Sequence, residues 1–262
     1  MPVTNSEWFK ESDFWEQFAP IMFDDAHWVE VPAVADGITR FAGMDFYGEN
    51  PEVFLKSPPK ALDICCGFGR ISAELSRMGY AVTGVDITES YLRTAREEAA
   101  YENLEIEYIH SDAREFTRSD FFDVALNLYN SFGYFTDQSD DLRIARNACN
   151  SLKKGGSFII DIYGKEITVR DFVEAEWFER AGFTVLTEYK VSDSWTFLYN
   201  RWILIKDGIK IEKIFSYRLY SAAELRSLLL EAGFSKVDIY GGWDGCPYDQ
   251  YAKRLIVIGR KL

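Results

Sequence analysis

The segment Ala61–Arg70, with the sequence ALDICCGFGR, joins four mostly apolar residues to a turn that contains two glycines. Apolar residues at helical spacing follow, with Ile71, Leu75 and Met78 on one side. The pattern predicts a strand, a tight turn and a helix. The glycines let the backbone bend sharply and approach a ligand closely, because they carry no Cβ. The unpaired N–H groups at the helix start favour a nucleotide-like or carboxylate-bearing ligand.

A second apolar segment, Tyr80–Val85, leads to Asp86, which lies 19 residues (86 − 67) after Gly67. In a doubly wound sheet, an acid at this position binds the hydroxyls of a cofactor ribose. Dinucleotides and S-adenosylmethionine both fit this spacing. The dinucleotide fingerprint requires a third glycine, where this chain has Ser72, and the Gly-x-x-x-x-Gly-Lys-Ser/Thr phosphate loop is absent. A nicotinamide-dependent oxidoreductase remains as an alternative.

The composition limits the classes of partner. The chain has 262 residues, 47% of them apolar, which is ample for one large domain or a domain with an insertion. A formal net charge of −13 disfavours nucleic acids and anionic membranes as partners. With four cysteines and two histidines at no metal-ligand spacing, we expect no metal site and a reduced, cytoplasmic protein. We also expect no signal peptide and no membrane span.

The order of apolar patterns predicts an α/β architecture in three parts. Residues 1–58, rich in aromatic side chains, form an N-terminal helical cap that either docks on the core or acts as a lid. Residues 59–164 and 221–262 form a doubly wound, seven-stranded, mostly parallel Rossmann-like core. Residues 165–220 form an inserted small antiparallel sheet, a substrate or oligomerisation subdomain whose exposed edge could pair between subunits.

Individual elements follow from periodicity and end signals. We expect strands at 104–109, 121–128, 157–161, 177–188, 191–205, 210–220, 237–240 and 254–259. A helix over 139–152 is expected to stop at Lys153–Gly156. Asp207-Gly208 is a hairpin signal, and Ser221 with Glu224 predicts a capping box for a helix that stops at Gly233.

The pattern Asp63-x-Cys65-x-Gly67-x-Gly69 resembles motif I of the class I S-adenosylmethionine-dependent methyltransferases. Cys65 stands where that family has its first glycine. Four further segments agree with the family and extend the resemblance over about residues 60 to 260: Gly84–Asp86, Ser111–Ala113, Phe122–Val124 and Leu152–Gly156. The chain is similar to the small-molecule branch that carries an antiparallel insertion after the fifth strand. The resemblance implies S-adenosyl-L-methionine as cofactor and S-adenosyl-L-homocysteine as product.

The resemblance also implies a cofactor site, residue by residue. The methionine portion would meet Asp63, Cys65, Gly67, Phe68 and Gly69. Asp86 would hold the ribose hydroxyls, Ile87 would lie against adenine, and Asp112 and Ala113 would meet the adenine edge. Asn127 or Leu128 would contact the amino-acid end through a backbone oxygen. For Arg70, contact with the cofactor carboxylate and a surface ion pair are both open, and Asp112 could equally cap a short helix over 113–116.

The implied reaction is in-line transfer of a methyl group to a nitrogen or oxygen of a small molecule. An oxygen or carbon acid can also require a general base, for which His27 is the candidate histidine. Asp244, in the last loop, is a candidate for orienting an amine or hydroxyl. Either could instead have a packing or turn role. Candidate pocket residues are Tyr134, Arg201, Arg218, Trp243 and Tyr248. Two further alternatives stay open: a non-catalytic S-adenosylmethionine-binding module, and methylation of a protein or RNA acceptor.

Overall fold

The computed structural model describes residues 7–44 and 57–262, so Pro51 and the other residues of 1–6 and 45–56 lie outside the described part. The strands are β1 (Lys60–Ile64), β2 (Ala81–Asp86), β3 (Ile106–His110), β4 (Phe122–Asn127), β5 (Leu152–Ile162), β6 (Ala175–Arg180), β7 (Phe183–Val191), β8 (Phe197–Lys206), β9 (Ile209–Arg218), β10 (Lys236–Tyr240) and β11 (Leu255–Arg260). The helices are α1 (Ser12–Met22), α2 (Asp25–Val29), α3 (Val31–Phe41), α4 (Arg70–Arg77), α5 (Glu89–Tyr101), α6 (Gln138–Ser151), α7 (Lys165–Arg170) and α8 (Ala222–Ala232). Short 3₁₀ helices cover Trp8–Lys10 and Asp193–Trp195.

The core sheet confirms the predicted fold class. Its seven strands lie in the order β10-β11-β5-β4-β1-β2-β3. β11 is antiparallel to both neighbours, and the other pairings are parallel. Central strands are buried on both faces, so the segment Phe158–Ile160 is fully buried and reads as a continuous apolar run. The strand order reverses between β1 and β4, and a ligand crevice is expected at their carboxyl ends.

Helices cover both faces of this sheet. On one face, α3 and α4 contribute Ala35, Ile38 and Leu75 to a buried cluster. On the other face, the cluster includes Ile144 of α6 and Leu229 of α8, together with aromatic residues of the N-terminal helices. Among the described residues, no helix combines the length and apolarity needed to cross a bilayer.

The inserted sheet has the order β6-β7-β8-β9 and is antiparallel throughout. Asp207 and Gly208 both have positive φ, 50° and 76°, as a two-residue hairpin turn requires, so this hairpin is confirmed. The single strand expected over 177–188 was wrong, because Ala181 and Gly182 form a second such turn between β6 and β7. The strand expected over 191–205 starts at Phe197, after the 3₁₀ helix. The division of the chain into three parts stays a prediction.

Two further local predictions need correction. The chain passes from α6 directly into β5 at Leu152, so the expected helix stop at Lys153–Gly156 is instead part of a strand. A register shift between Phe122 and Val124 accommodates these extra residues as a bulge. The alternative in which Asp112 caps a short helix over 113–116 is not what the structure shows, because residues 113–115 form a turn. The capping box of α8 and its stop at Gly233, with φ of 110°, are confirmed.

Candidate functional site

The glycine turn after β1 has three residues in the left-handed region: Cys65, Gly67 and Gly69, with φ of 63°, 56° and 73°. At Gly69 a Cβ would lie 2.2 Å from the hydroxyl oxygen of Tyr108, so a side chain there would require the Tyr108 ring to shift. At Gly67 a Cβ would lie 3.2 Å from the ring of Phe23. The turn is therefore built around backbone conformations that glycine adopts most readily.

Asp86 closes this turn from the end of β2. One carboxylate oxygen accepts the N–H of Gly67 at 2.8 Å, and the other accepts the N–H of Thr88 at 2.8 Å. Burial raises the pKa of Asp86 and outweighs the hydrogen bonds from Thr88 and Gly67, which favour the ionised form. Each oxygen keeps further acceptor capacity toward the crevice, because a carboxylate offers about four lone-pair sites.

Asp63 lies beneath the turn, in β1. It is 4% exposed, and its carboxylate accepts the Ser72 hydroxyl at 2.7 Å. Burial raises the pKa of Asp63 to about 6. Ser72, which replaces the third glycine of the dinucleotide pattern, thus has a defined partner. Asp63 does not line the pocket described next, and its contact with a cofactor stays a prediction.

A pocket opens at the carboxyl ends of β1, β2 and β3. Its cavity volume is about 90 Å³, below the roughly 300–1,000 Å³ of typical small-molecule sites. The lining residues are Phe9, Trp15, Phe23, Cys65, Gly67, Val85, Asp86, Ile87, Thr88, Tyr91, Ser111, Asp112, Ala113, Ser131, Tyr134, Phe135 and Ile144. Of the predicted site residues, the structure brings together here Cys65, Gly67, Asp86, Ile87, Asp112, Ala113 and Tyr134.

The N-terminal segment forms the outer wall of the pocket through three aromatic side chains that the residue-by-residue prediction missed: Phe9, Trp15 and Phe23. The Tyr91 hydroxyl donates to the carbonyl of Trp15, and the indole N–H of Trp15 donates to the carbonyl of Phe9 at 2.7 Å. The indole N–H of Trp8 donates to the carbonyl of Ser216 in β9 at 2.8 Å. The cap therefore contacts α5 of the core and β9 of the inserted sheet. The signal in the sequence that could have identified these three residues was the crowding of aromatic side chains in its first part.

Asp112 lies at the opposite end of the pocket, after β3. Its carboxylate pairs with the guanidinium of Arg114, with a closest distance of 2.6 Å. Although burial acts in the opposite direction, the hydrogen bonds from Arg114 lower the pKa of Asp112. The Arg114 guanidinium also stacks over the ring of Phe135, 4.7 Å from its centroid. Asp112 is thus a fixed, ionised acceptor at this edge.

Four predicted cofactor residues lie beside the pocket without lining it. Phe68 packs against the ring of Tyr91, with ring centroids 4.2 Å apart, and Gly69 begins α4. Leu128 is buried in the core. Asn127 is fully buried at the end of β4, and its side-chain oxygen has no hydrogen-bond partner among the described residues. Their contacts with a cofactor stay predictions.

Arg70 follows the turn and is 6% exposed. It forms no ion pair within residues 7–44 and 57–262, so a surface ion pair is not what the structure shows. Its guanidinium lies 5.1 Å from the ring centroid of Phe23 and 4.8 Å from that of Tyr129. One of its N–H groups donates to the carbonyl of His27. Burial lowers the pKa of Arg70.

The four other proposed pocket residues lie elsewhere. Arg201 pairs with Glu188 and Glu212 on the inserted sheet, at 3.0 and 2.7 Å. Arg218 stacks over Phe197, 4.6 Å from its ring centroid. The structure therefore gives both arginines local partners outside the pocket lining, and their substrate contacts stay predictions.

The remaining two pocket candidates lie near the carboxyl-terminal strands. Trp243 packs against Phe41 of α3, with ring centroids 6.0 Å apart. The Tyr248 hydroxyl donates to Glu166 at 2.9 Å. Neither side chain lines the pocket, and both assignments stay predictions.

The two catalytic candidates, His27 and Asp244, have structural partners. The His27 ring nitrogen Nδ1 lies 2.5 Å from the Asp24 carboxylate at the start of α2. Asp244 accepts the N–H of Cys246 at 3.1 Å, as expected for a turn before Gly245. Neither lines the pocket, so a catalytic role for either stays a prediction.

The residues present fit an adenosyl cofactor. The pocket has carboxylates at two ends, Asp86 and Asp112, which can accept hydroxyl and amino hydrogens, and apolar walls such as Ile87 and Ala113 between them. The glycine turn provides close backbone approach. Within the described ranges, no three His, Cys, Asp or Glu residues are grouped as metal ligands.

The fold and the site agree with the resemblance to a class I S-adenosylmethionine-dependent methyltransferase domain, for which S-adenosylmethionine is the implied cofactor. Residues 61–156 match the family described as a methyltransferase domain. The chain is similar to the CcbJ methyltransferase from Streptomyces caelestis, with a TM-score of 0.74 at 18% identity over 88% of this chain and 89% of that one. It is also similar to the sugar N-methyltransferase KedS8 from Streptoalloteichus, with a TM-score of 0.66 at 17% identity over 100% and 97%.

Among curated proteins, the ubiquinone biosynthesis O-methyltransferase of Ruegeria pomeroyi is 33% identical over 156 residues, which is 53% of this chain and 60% of that protein. The chain spans about half the length of the curated relatives it matches. The family match over residues 61–156 contains the glycine turn and Asp86. The likeness to the solved structures extends over the inserted sheet and concerns the fold.

Proposed function

We propose that this protein is an S-adenosylmethionine-dependent methyltransferase that acts on a nitrogen or oxygen of a small-molecule acceptor. The observation that carries the proposal is the pocket in which Asp86 and the turn residue Gly67 share a hydrogen bond at the carboxyl end of β2. That arrangement suits a ribose against a close backbone. The resemblance of the sequence and the methyltransferase family match support the same conclusion.

Within this proposal, the chain's own residues bind and orient. Asp86 accepts ribose hydroxyl hydrogens, and Asp112 accepts from the adenine edge. The cofactor, when bound, supplies an electrophilic methyl group. Phe9 and Trp15 exclude water from the pocket, and Tyr134 borders it from the loop after β4. Holding two reactants in attack geometry can supply an effective molarity of about 10⁵–10⁸ M, so positioning accounts for much of the required rate.

Several observations support a small acceptor. The net charge of −13 is unfavourable for binding a polyanion. The aromatic wall leaves a narrow pocket rather than an open groove. Related folds are described as acting on sugars, as in KedS8, and a matching relative is described as an O-methyltransferase of ubiquinone biosynthesis. Both nitrogen and oxygen nucleophiles are consistent with these relatives.

The direct test is calorimetric titration of the wild type and the Asp86→Asn variant with S-adenosylmethionine and S-adenosylhomocysteine. Asn keeps one oxygen for a backbone N–H but presents an N–H₂ group to the other donor, so we expect binding at least about tenfold weaker. Asp238→Asn is the matched control, because it removes a carboxylate that pairs with Lys236 and Arg260 in β10 and β11. A folded wild type that binds neither compound would overturn the proposal.

A non-catalytic binding module is the second candidate, because neither His27 nor Asp244 lines the pocket. Both candidates predict cofactor binding, so turnover separates them. The assay incubates the protein with labelled S-adenosylmethionine and a panel of amines, phenols and amino sugars, and detects methylated product by mass spectrometry. Product formation by the wild type, reduced in Asp86→Asn, supports the enzyme. Tight binding with no product across the panel supports the module.

A further inference from the structure

The loop over 128–137, between β4 and α6, supplies three lining residues of the pocket: Ser131, Tyr134 and Phe135. This loop is attached to the inserted sheet at Gly133, which has φ of 97°. The carbonyl of Gly133 accepts the N–H of Arg218, the last residue of β9, at 2.7 Å. A Cβ at Gly133 would lie 2.8 Å from the carbonyl oxygen of Arg218. The pocket loop and the end of the inserted sheet are therefore in direct backbone contact.

The other side of this contact is Asp141 of α6, which is fully buried. One carboxylate oxygen accepts the N–H of Gly133 at 3.1 Å. The other accepts the hydroxyl of Tyr220 at 2.8 Å, and Tyr220 follows β9 by two residues. The Arg218 Nε lies 4.0 Å from this second oxygen and, within the described chain, is buried without a hydrogen bond. One carboxylate thus joins three elements.

Joining apolar elements through a buried carboxylate costs desolvation free energy, because an ionised group loses its hydration when it leaves water. The charged and titratable groups around Asp141 are Arg218 and Tyr220 from the inserted-sheet side and Asp137 and Asp140 from the start of α6. Burial raises the pKa of Asp141 to about 7, against the hydrogen bonds from Tyr220 and Gly133 and the charge of Arg218. The group therefore changes charge near neutral pH.

We propose that Asp141 is a positioning residue that holds the pocket loop, through Gly133, to the end of the inserted sheet, through Tyr220 and Arg218. This inference rests on the proposed function, since the held loop carries Tyr134 into the cofactor pocket. The ionised carboxylate accepts from both donors at once. A neutral carboxyl or amide here can still accept from Gly133 but presents a hydrogen to Tyr220, so the Tyr220 hydroxyl must accept instead of donate and its own hydrogen loses this buried acceptor. The loop is then held less tightly.

The test compares wild type with Asp141→Asn and Tyr220→Phe, with Asp238→Asn as control. The first readout is amide hydrogen exchange, resolved by residue. Asp141→Asn disturbs the bond to the Tyr220 hydroxyl, and Tyr220→Phe leaves one Asp141 oxygen without its donor. An unpaired buried polar group costs about 1–3 kcal/mol, so both variants should exchange residues 131–135 about tenfold faster or more. Amide exchange in the core strands β1 and β4 should change only as much as the global stability of each variant changes. Tyr220→Phe removes a single hydroxyl and keeps the ring, so it remains informative where Asp141→Asn does not fold.

The second readout is the dissociation constant of S-adenosylhomocysteine against pH. We expect binding to wild type to weaken as the pH falls through about 7, and this dependence to be absent in Asp141→Asn. Both variants should bind about tenfold more weakly at pH 8. Unchanged exchange at 131–135, or exchange that follows global stability alone, would refute the positioning role. If wild type binds no S-adenosylhomocysteine, the proposed function fails, while the exchange readout still decides the role of Asp141.

Discussion

Replacing Cys65 by glycine should leave the protein more stable than replacing it by alanine, the reverse of the usual order. Cys65 has φ of 63°, in the left-handed region. A side chain in that conformation costs about 1–2 kcal/mol, whereas glycine's extra freedom in the unfolded chain costs about 0.4–1 kcal/mol. The difference is about 1 kcal/mol in favour of glycine. We expect Cys65→Gly to melt about 2–4 °C above Cys65→Ala.

The assay is thermal and urea unfolding of both variants, followed by calorimetry with S-adenosylhomocysteine. Both variants lose the sulfur, so comparing them isolates the backbone cost. Ala100, exposed near the end of α5, provides the control, because Ala100→Gly should lower the free energy of unfolding by about 1 kcal/mol. An alanine variant at 65 as stable as the glycine variant would refute the assignment of strain to this turn. We also expect Cys65→Gly to retain cofactor binding.

Further predictions concern buried groups around the site. Gly69→Ala should cost about 2–5 kcal/mol of unfolding free energy in chemical denaturation, because its Cβ would lie 2.2 Å from the Tyr108 hydroxyl at a positive φ. Asp63 has a pKa of about 6 when folded against 3.8 ordinarily, so between these values the folded protein binds a proton that the unfolded chain does not. Its stability relative to Asp63→Asn should therefore fall by about 2 kcal/mol from pH 4 to pH 7, measured by urea unfolding across pH. Asp161→Asn should cost about 3–5 kcal/mol by the same method, because it leaves the buried Arg254 without its partner at 2.7 Å; a smaller loss would mean that water reaches this pair.

The sequence was sufficient for the core because its signals are local. The apolar run of β1, the glycine turn and Asp86 each depend on residues close in the chain, and all three were placed correctly. The turn at Ala181-Gly182 was missed because the apolar residues on either side continue as if in one strand. The extension of β5 to Leu152 was missed because a Lys-Lys-Gly-Gly sequence is also a common helix end.

Placement of side chains in the site was harder to predict because it depends on how distant segments dock. A strand pattern tells which residues share a face, but not what the face meets. From the sequence, Arg201 therefore appeared free to contact a substrate. In the structure it forms ion pairs with two glutamates on neighbouring strands. Conversely, Phe9 and Trp15 reach the pocket from far along the chain. Asp141 belongs to no recognisable sequence motif, because its partners come from a loop and from the end of the inserted sheet.

The indole of Trp8 hydrogen-bonds to Ser216, 208 residues further along the chain. Closing so long a loop is entropically costly and, as a contact of high sequence separation, it is expected late in folding. The cap can dock only after β9 has joined its sheet, so the pocket should be completed in the last step of folding. By the same reasoning, the cap should detach before the core unfolds. A molecule held beneath it should then slow the first step of unfolding.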